Sequence, residues 1–286
     1  MNDLAILAAS YLGPAGYGND LTGLHPWPAH LDAAFQQGDL AELHWSLLFA
    51  SDPARFARMD LMSRLGLMAV ELLDASLESM PGDHRDRVGV CLETCAGSLA
   101  TDLRFLHTPR ASLFAYTLPS TVIGEICIRY HLRGPVLCLL KSSVPGRASV
   151  PASPNISRDQ GSRGRSPSPT ASFETIFSPS ALVEAVHWLE QGDAEMCLCL
   201  TSEAVDREVV AVWPEGLPLP QWHAGALLVG KVGGNPREYL LTPDPGAQPL
   251  AAVCQRLLGA AGRSPRTSAF GSAFDADRAE NPKRSC

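Results

Sequence analysis

Five short apolar runs punctuate the chain, and each is bounded by polar or turn-forming residues: DLAILAASYL (3–12), RVGVCLETC (87–95), GPVLCLL (134–140), MCLCL (196–200) and HAGALLVGK (223–231). Runs of this length without strict alternation read as strands buried on both faces. REYLLT (237–242) is a further strand beside the last of them. Between the runs the period changes to that of a helix. Over 60–78 the apolar positions Leu61, Leu65, Met68 and Leu72 share one face, and Asp60 is the expected N-cap, with Ser63 and Arg64 in the first turn. Helical stripes also cover 97–107, 119–132 with Pro119 in its first turn, 180–191 stopped by Gly192, and 248–261. Strands alternating with helices predict an α/β fold, a mixed sheet with helices on both faces. Val88, Val90, Leu137, Leu139, Met196 and Leu198 are expected on adjacent buried strands of that sheet, and the helices at 60–78 and 180–191 on its faces.

Two segments break the pattern. Residues 141–172 and 262–286 are rich in Ser, Pro, Gly and Arg and poor in large apolar side chains. Such segments bury too little to offset their ordering entropy, so both are expected to be disordered. The chain then reads as one domain over 1–261, interrupted by the insert, plus a tail. GPAGYGND after the first run reads as a Gly-rich loop, followed by a polar, Trp-containing stretch.

Composition narrows the function classes. With 45% hydrophobic and 19% charged residues the chain can build a substantial core. Its net charge of -7 argues against a nucleic-acid binder. No run reaches the ~18 apolar residues of a membrane span, and the N-terminus lacks the basic region of a signal peptide. The eight cysteines are too sparse for a disulfide framework, and Cys91, Cys127, Cys138, Cys197 and Cys199 sit inside apolar runs. They read as core residues of a reducing, cytoplasmic compartment.

Several residues invite a chemical reading and a plainer one. Cys91, Cys95, Cys197 and Cys199 lack Cys-x-x-Cys spacing, so packing is preferred to a metal site. GPAGYGN lacks both a following Lys-Ser/Thr and the GxGxxG spacing, so no nucleotide cofactor is expected. His187 and Trp188 are neighbours on one helix, so one faces the core and one faces out. Glu93 is out of place in a buried strand. It marks the strand end near a site, or it pairs with an arginine such as Arg104. Arg147, Arg158, Arg163 and Arg165 give the insert a local positive charge suited to an acidic partner or simply to solvent.

Five segments, in order, resemble the N-terminal half of β-ketoacyl synthases: ARFARMDLMSRLGLMAVELLDAS, DRVGVCLETCAGSLATDLRFL, LPSTVIGEICIRYHLRGP, ALVEAVHWLEQGDAEMCLCLTSEAV and HAGALLVG. Together they cover roughly residues 1–140 and 180–231. The nearest subgroup is the short ketosynthase-like and chain-length-factor-like proteins of aryl-polyene-type clusters. The resemblance implies a thiolase-like half, with a five-stranded mixed sheet. It also implies a Cys nucleophile shortly after Gly134-Pro135 and two His residues from a second half, which has no counterpart in this chain. Counting forward places the Cys position at Ser143; counting back from Glu184 and Gly192 places it at Thr175. Neither is Cys. The expectation is a non-condensing partner of an active ketosynthase, acting beside an acyl carrier protein in a homo- or heterodimer. An acyltransferase or hydrolase using Ser143 or Thr175 is the alternative, with a degenerate inactive fragment behind it. No cofactor, metal, nucleic acid or membrane is implied.

Overall fold

The computed structural model describes residues 4–49, 53, 55–73, 77, 82–141, 180–215, 221–231, 254 and 258. The strands are β1 (Leu4–Gly13), β2 (Gly16–Asn19), β3 (Gly23–His25), β4 (Val88–Thr94), β5 (Val136–Leu140), β6 (Met196–Glu203) and β7 (His223–Lys231). They form one mixed sheet in the order β3-β2-β1-β7-β6-β4-β5. The helices are α1 (Ala29–Gln36), α2 (Leu61–Leu72), α3 (Gly82–Arg85), α4 (Leu99–His107), α5 (Ala111–Phe114), α6 (Thr121–Tyr130), α7 (Ser180–Gln191) and α8 (Arg207–Val212).

The continuous apolar runs are explained by burial on both faces. Along β4, Val88, Val90 and Leu92 join Leu65 and Met68 of α2 and Ile126 of α6 in one core. Cys91 points the other way, with Cys197, Cys199, Leu227 and Val229, onto Ala181, Ala185 and Leu189 of α7. The two-residue period of a strand thus feeds both layers from one apolar run. β4 lies parallel to both neighbours, with Val88 opposite Met196, Val90 opposite Leu198, and Cys91 opposite Leu137. Gly89 lets α7 close on the sheet: a Cβ there would stand 2.8 Å from the Trp188 ring. Trp188 is accordingly half-buried, and His187 faces out. Asp60 caps α2 as expected, accepting from the Ser63 backbone N–H at 2.9 Å, and Gly192 ends α7 at φ +83°.

Several expectations are corrected. GPAGYGND is not a loop but the turn and second strand of a hairpin, extended by β3, so among the described residues the sheet has seven strands rather than five. Gly16 permits this at φ +128°, where a Cβ would lie 2.2 Å from the His25 carbonyl oxygen. The polar stretch that follows contains α1. Its Leu31 and Phe35 are buried, and Trp27 and Trp222 pack around Phe35 while donating to the Gly13 and Phe35 carbonyls. Of the stripe at 60–78 the described helix is Leu61–Leu72, and those at 97–107 and 119–132 begin two residues late, leaving Pro119 in the preceding turn. β5 was expected to be buried, yet Val136 and Leu140 are 56% and 61% exposed. Among the described residues it is the edge strand, paired with β4 alone. Residues 237–242, 142–172 and 262–286 lie outside the described residues. Of the late stripe, Cys254 and Leu258 are described, and both are helical and buried.

Candidate functional site

The parallel strands β4, β5 and β6 deliver their C-terminal ends to the same margin of the sheet. In open α/β sheets this margin is where ligands bind, between loops that leave toward opposite faces. Here β4 leads to α4 on the side of the α2 core, while α7 lies on the other face. The strand ends carry an unusual density of buried polar groups: Glu93, Thr94, Thr201, Ser202 and Glu203.

Glu93 is 3% exposed. Lys141, the first residue after β5, continues the ladder by donating its backbone N–H to Thr94 O at 2.8 Å. Its Nζ lies 3.1 Å from Glu93 Oε1. The other carboxylate oxygen, Oε2, accepts the backbone N–H of Ala181 at 3.1 Å. Ala181 is in the first turn of α7, where backbone N–H groups have no partner inside the helix. One carboxylate therefore joins β4, β5 and α7. Arg104, the partner expected for Glu93 from the sequence, instead pairs with Asp206 at 2.9 Å.

Glu203 ends β6 and is held as closely. Its carboxylate accepts the backbone N–H of Ala96 at 2.9 Å, that of Cys95, and the Thr94 hydroxyl at 3.1 Å. Consecutive N–H groups turned to one point form an anion-binding concavity. Burial nevertheless prevails over these bonds and pushes the Glu203 carboxyl up to about 7. The neighbouring Cys95 thiol is pushed up to about 12, by burial first and then by the Glu203 charge. Burial likewise raises Cys91 and Cys197 to about 12, and Cys199 and Cys254 upward. These thiols stay protonated at neutral pH and are poor nucleophiles. Across the sheet from Glu203, His223 has its Nδ1 2.9 Å from Gln221 O and its Nε2 3.2 Å from Thr201 Oγ1. Burial lowers its pKa, which favours a neutral ring.

Ser143 and Thr175, the two positions counted to the family nucleophile, lie outside the described residues. Sequence reasoning singled out Glu93 as anomalous but missed Lys141, which composition had assigned to the insert. Glu203 was not singled out within the segment ALVEAVHWLEQGDAEMCLCLTSEAV; its position at the end of an apolar strand was the available signal. Among the described residues no cluster of three His, Cys, Asp or Glu side chains is placed to hold a metal ion, and no helix is long and apolar enough to cross a membrane.

No family model and no curated protein matches this sequence. Solved structures do match. One is the ishigamide ketosynthase/chain length factor, at 18% identity and TM-score 0.47, covering 80% of this chain and 62% of that one. Another is a ketosynthase (ApeO) in complex with its chain length factor (ApeC) from Xenorhabdus doucetiae, at 13% identity and TM-score 0.49, covering 92% and 93%. A third is a type II acyl-carrier protein in complex with its ketosynthase, AntDE:AntF, at 13% identity and TM-score 0.49, covering 81% and 63%. The chain thus spans less than two thirds of the first and third of these.

Proposed function

We propose that this chain is a non-condensing, ketosynthase-like subunit that docks an active ketosynthase through the β5 edge and works on acyl-carrier substrates. The observation that carries the reading is that edge. Val136 and Leu140 stand exposed on β5, and Ile128, Leu118, Phe114 and Leu106 of the preceding segment are 57–74% exposed. Among the described residues nothing pairs with this edge, and a strand edge with exposed apolar side chains is suited to a partner, since soluble proteins cover or charge such edges. The non-condensing half of the reading is supported by the chemistry of the strand ends. Condensation needs a thiolate, an oxyanion hole and two imidazoles acting as one unit. Burial pushes the thiols of Cys91, Cys95, Cys197, Cys199 and Cys254 up, away from the thiolate form, and Glu93 and Glu203 accept the N–H groups of Ala181 and of Cys95 and Ala96.

The test has two arms. Co-expressed with a ketosynthase and carrier protein of an aryl-polyene-type system, the chain is expected to co-purify with the ketosynthase in a fixed ratio. Incubated alone with acyl-carrier and malonyl-carrier, it is expected to give neither acylated protein nor β-ketoacyl product by mass spectrometry. Stable acylation at Ser143 or Thr175 would transfer the reading to the acyltransferase or hydrolase alternative. Product formed without any added ketosynthase would end the non-condensing reading.

A further inference from the structure

The arrangement around Glu93 has the parts of a carboxylate-binding site, with the ligand supplied by the chain itself. Three groups converge on that carboxylate. The ammonium of Lys141 meets Oε1 at 3.1 Å, the first-turn N–H of Ala181 meets Oε2 at 3.1 Å, and the start of the twelve-residue α7 adds its dipole. A cation, an orphan helix N–H and a helix N-terminus are the elements that hold bound carboxylates and phosphates in proteins generally. Both partners are largely out of solvent: the side chain of Glu93 is 4% exposed and that of Lys141 19%. β4 is parallel to its neighbours and buried along its length, and a glutamate side chain has no packing reason to be there.

We propose that Lys141 and the first turn of α7 form an anion site for a monocarboxylate-sized group, and that Glu93 is its built-in occupant. While Glu93 is seated, the α7 end is closed to any incoming carboxylate or acyl oxyanion. Remove the side chain at position 93, and the site accepts a free small carboxylate in its place. The proposal concerns this site alone and does not depend on which partner the β5 edge binds.

The test is chemical rescue. Glu93→Ala leaves the Lys141 ammonium and the Ala181 N–H facing a space the size of the lost carboxylate. Acetate or formate at about 100 mM, with a dissociation constant of roughly 10 mM, shifts the folding equilibrium of this variant about tenfold and raises its Tm by about 2–4 °C. Sodium chloride at equal ionic strength is expected to leave Tm unchanged, as is acetate added to the wild type. In the Glu93→Ala/Lys141→Met double variant the acetate effect is lost. Equal acetate stabilisation of wild type and variant, persistence of the effect without Lys141, or no acetate effect at all would each overturn the site. Should Glu93→Ala fail to fold, Glu93→Gln keeps an acceptor for Ala181 and removes only the charge. Its Lys141 is then expected to react severalfold faster than the wild-type lysine with an amine-reactive ester, read by peptide mass spectrometry. Unchanged Lys141 labelling in that variant would show that Glu93 is not its resident partner.

Discussion

Glu203 is a carboxylate whose charge the fold tolerates poorly. Its pKa stands at about 7 against 4.5 for a free glutamate, because burial outweighs the N–H and hydroxyl bonds it accepts. A carboxyl with a raised folded value holds its proton more tightly in the native state than in the unfolded one. Its contribution to stability is therefore complete below about pH 4.5 and is lost as pH rises through about 7. The shift corresponds to something on the order of 3 kcal/mol. Glu203→Gln keeps an oxygen to accept from Ala96 and cannot ionise. The difference in stability between variant and wild type should swing in favour of the variant between pH 5 and pH 8, measured by urea unfolding at each pH. Parallel profiles would show that Glu203 does not titrate in that window.

At the scale of elements, α2 shows how a single local signal ties several parts together. Asp60 caps the helix through Oδ1 to Ser63 N, and its Oδ2 accepts the Thr101 hydroxyl of α4 at 2.7 Å. Asp60→Ala removes the cap and leaves a buried hydroxyl without this partner, a loss of about 2–3 kcal/mol by urea unfolding. Asp60→Asn, which still accepts from Ser63, is expected to cost less than half of that. The cap was legible because its chemistry is contained in four consecutive residues. So were β4, β6, β7 and α7, whose apolar periods exceed anything a loop would carry. The β2–β3 hairpin was hidden because its residues are small and its strands short, so that only pairing with β1 defines it. α1 had a signal that was passed over: Leu31 and Phe35 at i, i+4, Pro28 before the helix and Gly38 after it. The exposure of β5 could not be read from VLCLL at all, since an apolar run does not say whether a neighbouring strand lies on each side. The candidate site was half legible for a similar reason. A glutamate inside a buried strand is visible as an anomaly, whereas its lysine partner arrives 48 residues later, at the start of a low-complexity tract.

On the scale of the whole molecule, the two faces and the two edges of the sheet are finished differently. The outer side of α7 carries Val183, His187, Glu190 and Gln191, all exposed, so three of four positions suit water. A helix pressed between two sheets would be apolar all round. The face above α7 is therefore mostly polar, whereas β5 presents two exposed apolar side chains, Val136 and Leu140. This contrast gives a clean test of the docking surface. Val136→Lys places a charge on a 56% exposed strand position, and Val183→Lys places the same charge on a 53% exposed helix position. Neither side chain is in the core, so both variants should unfold within about 0.5 kcal/mol of the wild type. Only Val136→Lys desolvates an ammonium when a partner strand or apolar surface is laid on the edge, which should weaken ketosynthase association at least tenfold. Titration by surface plasmon resonance or analytical ultracentrifugation compares the two variants directly. If both bind as the wild type does, the β5 edge is not the docking surface. If Val183→Lys is the weaker binder, the partner sits on α7, and the polar outer face of that helix has been misjudged.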